Sequence, residues 1–177
     1  MSVDFNAEFE NNMGVIALEQ WPPLMEQLGP ATDAVIAKWR HLWRPQSWAT
    51  GVGSVVPAYT EIVGPGGFAI RISPVSARIY HCSRFSRFVV DEQHQQMLRR
   101  ACFEIATLLR SERAIYFAEL THTAFFKGGD LNESQNVLRD EFGEPARSIA
   151  ELSERFEPGC YYVDTFQDLR HHESRFP

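Results

Sequence analysis

No lysine or arginine occurs in the first 37 residues, although six acids do. A secretory leader opens on positive charge, so the stretch MSVDFNAEFENN has the wrong sign for one, and no apolar run approaches the ~20 residues that cross a bilayer. Cysteine is scarce: the residues at 82, 102 and 160 are odd in number, widely spaced and without a C-x-x-C, which argues against a disulfide framework or a zinc knuckle. The six histidines show no H-x-x-x-H or H-E-x-x-H spacing. Gly51-Val-Gly-Ser matches neither phosphate-cradling glycine loop, and Ser54 is not in a G-x-S-x-G elbow. These absences lead us to expect a soluble, cytoplasmic chain with no membrane partner and neither metal nor cofactor.

What is present is enough for a core. A length of 177 residues with 44% hydrophobic content suits one domain. The net charge of minus 6 is distributed in blocks: minus 6 over residues 1–37, plus 6 over 38–113 and minus 6 over 114–177. Such blocks either pair internally or form faces for a partner. Overall acidity argues against direct nucleic-acid binding, which needs a basic surface.

Spacing predicts the elements. A helical segment spans about 13–44, interrupted at Pro22-Pro23 and ending before Pro45. An α+β core follows over about 51–166, and 167–177 reads as a charged tail. Within the core a strand runs from Tyr59 to Val63. Phe68, Ile70 and Ile72 alternate with Ala69, Arg71 and Ser73, and Ser-Pro-Val-Ser then turns the chain into a second strand from Ala77 to Cys82. Ser83-Arg-Phe-Ser-Arg-Phe88 has period three and is expected as a loop or 3₁₀ turn, with Phe85 and Phe88 inward and the arginines outward. Asp91 caps a long helix to about Arg110. Ala114 to Leu120 is a buried strand. Asn132 with Gln135, and Ser148 with Glu151, have capping-box spacing for two helices, and Cys160 to Phe166 is a last strand. The fold class is α+β, an antiparallel sheet packed against the long helix with further N-terminal and C-terminal helices.

Candidate chemistry is sparse. His81 and Cys82 are neighbours on a strand, so their side chains point to opposite faces and do not form a nucleophile–base pair. The hairpin places Arg71 opposite Arg78, and like charges so opposed need an acid nearby, from an anionic ligand or from this chain. With Arg84 and Arg87 they form a candidate anion-binding cluster. Glu119 and Asp164 are candidate paired carboxylates for acid–base work, against a salt bridge to the central arginines.

The order of a hairpin, a long helix, an aromatic strand (RAIYFAEL), an acidic helix (LNESQNVLRDEFGEP), a short acidic helix (SIAELSERF) and a final strand (GCYYVDTF) resembles small bacterial immunity proteins. The likeness covers roughly residues 66 to 166 and lies in arrangement and character. It implies a cytoplasmic binding protein that neutralises a cognate toxin, for example a nuclease, delivered by contact-dependent or type VI secretion. Acidic helices could then meet a basic groove, with Asp130, Glu133, Asp140, Glu141, Glu144, Glu151, Glu154 and Glu157 as the candidate face. The same acids are also what an ordinary solvated helix would carry. The rival expectation is a small enzyme or ligand-binding domain that holds a phosphate- or nucleotide-like anion through Arg71, Arg78, Arg84 and Arg87.

Overall fold

The computed structural model describes residues 4–14, 44–48, 59–63, 69–118, 129–155 and 159–173. Seven strands form one sheet: β1 (Asp4–Glu10), β2 (Arg44–Trp48), β3 (Tyr59–Val63), β4 (Ala69–Ile72), β5 (Ser76–Arg84), β6 (Ala114–Ala118) and β7 (Tyr161–Asp164). Their order is β2-β3-β4-β5-β1-β6-β7, and every neighbouring pair is antiparallel. The helices are α1 (Phe85–Val90), α2 (Glu92–Leu108), α3 (Leu131–Phe142), α4 (Ile149–Arg155) and α5 (Gln167–Glu173).

The expected hairpin is present. Arg71 lies opposite Arg78 across it, and Ser73 binds the turn through its backbone N–H to Ser76 O at 2.8 Å. Asp91 accepts from His94 N–H and caps the long helix, as its position predicts.

The sheet departs from the expected elements in four places. Residues 4–10 form β1, ahead of the expected core, and pair with β5 on one side and β6 on the other. The sheet therefore starts well before residue 51. Arg44–Trp48 is also a strand, despite Pro45. The Ser-Arg-Phe repeat is the end of β5 followed by an α-helix, because residues three apart share a helix face: Phe88 is fully buried and Phe85 half-buried, while Arg84 and Arg87 are exposed. The tail from 167 folds as α5. The helices expected before residue 44 lie almost wholly outside the described residues.

Alternation places the core on both sides of the sheet. Phe5, Ala7, Phe9, Ile70, Ile72, Ala77, Ile79, Ala114 and Tyr116 point to one face, where α1, α2 and α4 bury Phe88, Leu98, Cys102, Ile105, Ile149 and Leu152. Ile115, Phe117 and Tyr161 point to the other, against Leu131 and Leu138 of α3. The sheet is thus the middle of three layers. The two acidic helices α3 and α4 lie on opposite faces of it. The segment between them crosses the β7 edge, where Ala146 N–H donates to Tyr161 O at 2.9 Å.

Candidate functional site

On the face that carries α3, strand register aligns Arg71, Arg78, Glu8 and Ile115 in one row across β4, β5, β1 and β6. An acid therefore stands beside Arg78. Arg78 is 2% exposed and Glu8 0%, with Arg78 Nε 3.8 Å from Glu8 Oε2. Arg78 Nη1 also donates to Tyr80 Oη at 3.2 Å, and its guanidinium lies 4.6 Å from the Phe117 ring centre. Arg71 stacks on Tyr80, with Cζ 4.5 Å from the ring centre. Burial raises the Tyr80 pKa against the opposing pull of both arginines, so the phenol stays neutral. The other Glu8 oxygen accepts from Ser134 Oγ of α3. The acid that Arg78 requires thus comes from the acidic N-terminal block of this same chain.

The four arginines do not converge. Arg78 and Arg84 are six residues apart on β5, roughly 20 Å along the strand. Arg87 pairs instead with Asp91 at 3.3 Å, one turn away in sequence.

Asp164 is the centre of a second polar group, on the α2 face. Arg99 of α2 grips it with two hydrogen bonds, Nε at 2.6 Å and Nη2 at 3.0 Å. Tyr116 Oη donates to it at 3.0 Å, and Phe166 N–H at 2.9 Å. Arg99 then reaches on to Asp168 of α5 with bonds of 3.0 and 2.9 Å. Burial opposes the Arg99 charge, but the hydrogen bonds it donates to the two aspartates outweigh it and raise the pKa. The same bonds lower the pKa of Asp168. Burial pushes up both Tyr116 and Cys102, which sits in the same core, so neither is a ready nucleophile or base. The Asp164 salt bridge to the basic middle of the chain, expected from the sequence, exists, and its partner is Arg99. Glu119, its imagined catalytic partner, lies outside the described residues. This group is a clasp joining α2, β6, β7 and α5.

His94 of α2 is 8% exposed, with Nε2 2.5 Å from Ser83 Oγ near the end of β5. The side chains of His81 and Cys82 lie outside the described residues, as does that of Trp48. Among the described residues no group of three His, Cys, Asp or Glu is placed to hold a metal ion, and no helix is long and apolar enough to cross a membrane.

The acidic candidates divide by role. Asp130 accepts from Glu133 N–H at 2.9 Å and caps α3, displacing Asn132, whose side chain accepts from Arg113. Glu151 accepts from Arg147 N–H at 2.7 Å, and Ser148 Oγ accepts from Glu151 N–H at 3.1 Å. Glu133, Asp140, Glu141, Glu144 and Glu154 are exposed, and none is in a salt bridge among the described residues. Glu157 lies outside the described residues. Because α3 and α4 occupy opposite faces, these acids do not form one flat patch. Asp140, Glu141 and Glu144 cluster where the chain rounds the β7 edge, and Phe142 among them is 37% exposed. Sequence spacing could not reveal that the acids of α3 and α4 are divided between two faces, since that depends on the chain crossing a sheet edge.

Comparison with known proteins adds no relative: no protein-family model, no curated protein and no solved structure matches the chain.

Proposed function

We propose that this chain is a non-catalytic binding protein, and specifically an immunity protein that acts in the bacterial cytoplasm by binding and occluding a cognate toxin. The observation that carries this reading is the band of carboxylates around the β7 edge. Asp140, Glu141 and Glu144 keep their charge uncommitted, with a partly exposed aromatic side chain, Phe142, among them. Residues 130–155 hold seven acids against three bases. A basic substrate groove, of the kind a nuclease uses for phosphates, would find in such a band both charge complementarity and an apolar anchor. The burial of Arg78 against Glu8 favours this reading over an anion-binding one.

The experiment is genetic and then biochemical. The product of the neighbouring gene is expressed in a bacterial host with and without this chain. Growth arrest relieved by this chain is the expected result, with relief lost when Asp140, Glu141, Glu144 and Glu154 are changed together to Lys. A neighbouring product without toxicity, or full protection by a folded quadruple variant, would overturn the reading.

A further inference from the structure

Phe142 is partly exposed and yet held in one place. It closes α3, and the next residue, Gly143, leaves the helix at a φ of +83°. The Gly143 N–H donates to Arg139 O at 2.8 Å, and its carbonyl accepts from Tyr161 Oη at 3.0 Å. Burial first, and the Glu144 carboxylate second, raise the pKa of that phenol, so it keeps the proton it donates. Beneath the ring, a Cβ on Gly159 would lie 2.0, 2.3 and 2.6 Å from three consecutive ring carbons, so a face of Phe142, not an edge, rests on this glycine. With one face so placed the residue is still 37% exposed, which leaves the opposite face to a partner.

What surrounds that face favours a planar cation. Asp140 and Glu141 precede the ring and Glu144 follows it closely, all three exposed and in no salt bridge among the described residues. The ring stands at the C-terminus of α3, where the last carbonyls and the helix dipole present the negative end. Arg139 of the same turn points back along the helix and donates to Asn136 Oδ1 at 2.7 Å. An aromatic face attracts a cation laid flat on it. A guanidinium is planar, stacks on rings and meets carboxylates along its edge, whereas an ammonium group is a strongly hydrated point charge. Because the ring is already fixed, covering it costs little ordering entropy.

We propose that the Phe142 face is a preset seat for an arginine side chain of the partner protein: the guanidinium stacks on the ring, and Asp140, Glu141 and Glu144 supply the countercharge. This rests on the binding role proposed above and adds to it the group that is recognised. An aliphatic pocket closing over Phe142, the other way to cover an exposed ring, would desolvate the neighbouring carboxylates with no charge to answer them.

Titration of the full chain with two peptides of equal length and charge, GRGRGRG and GKGKGKG, tests it. The arginine peptide should bind about two- to fivefold more tightly, the range that a cation–π contact supplies at an exposed site, and should shift the Phe142 ring protons in NMR spectra. Phe142→Leu leaves every charge in place, so it should remove the arginine preference and keep the weaker, salt-sensitive binding that both peptides share. Gly159→Ala, which pushes the ring off its support, should weaken the preference in the same direction. Equal affinities, ring protons that do not shift, or an arginine preference that survives in Phe142→Leu would each overturn the seat. A neighbouring gene product without toxicity would overturn the immunity reading alone, so the two ideas fail separately.

Discussion

Glu8 of β1 stands directly opposite Arg78 of β5, both fully inside the protein, and Ser134 of α3 closes over the Glu8 carboxylate. The pair ties the acidic N-terminal block to the basic middle of the chain and docks α3 on the sheet. Removing one partner from such a pair leaves a charge in the interior, which typically costs more than the pair contributes.

Glu8→Ala is therefore expected to destabilise the fold by about 3–5 kcal/mol in denaturant unfolding, and Arg78→Ala comparably. Glu8→Leu combined with Arg78→Met should recover most of that loss, because no charge is left unpaired. Additive losses in the double variant would contradict the account.

The Arg99 clasp should be graded by burial. Asp164→Ala strands Arg99 and the Tyr116 hydroxyl, and a cost of about 3 kcal/mol is expected. Asp168 is 61% exposed, so its replacement by Asn should cost within about 1 kcal/mol, and less in high salt. Asp168 also has a lowered folded pKa, so its small contribution is present above the unfolded value near 3.9 and is lost as pH falls through the folded one. Unfolding measured from pH 5 downward checks the sign: the native chain should lose slightly more stability than Asp168→Asn.

Gly159 has a φ of +96°, and a Cβ there would lie 2.0 Å from the Phe142 ring. Gly159→Ala is expected to cost about 2–3 kcal/mol, from backbone strain and the collision together. In a Phe142→Ala background the same change should cost clearly less, because only the strain remains. A double-mutant cycle reads this directly, and a coupling of zero would mean the ring moves aside freely.

Asp130 rather than Asn132 caps α3. Asp130→Ala should lower stability by about 1 kcal/mol. Asn132→Ala should act by another route, freeing the Arg113 guanidinium from one of its acceptors, so combining it with Arg113→Ala should show non-additivity that Asp130→Ala lacks.

Local spacing was sufficient for much of the fold. The alternation of Ile70 and Ile72 around Arg71, the turn at Ser73, the cap at Asp91 and the apolar stripe of α2 all depend on residues within a few positions of each other. The pairing of Arg71 with Arg78 followed from the turn length alone. β1 was also legible, since Phe5, Ala7 and Phe9 alternate with Asn6, Glu8 and Glu10, but acids and Asn are depleted in strands and concealed the pattern. Glu8 is acceptable there only because β5, about 70 residues later in the chain, brings Arg78 beside it.

Composition and periodicity thus determine that this chain makes an antiparallel sheet with a capped long helix, because backbone geometry and side-chain alternation act over short distances. Which acid answers Arg78, which arginine grips Asp164, and how α3 and α4 come to lie on opposite faces with Asp140, Glu141 and Glu144 around one edge are settled only in three dimensions. Each of these depends on strand order and on a chain crossing, which bring together residues that no local rule connects.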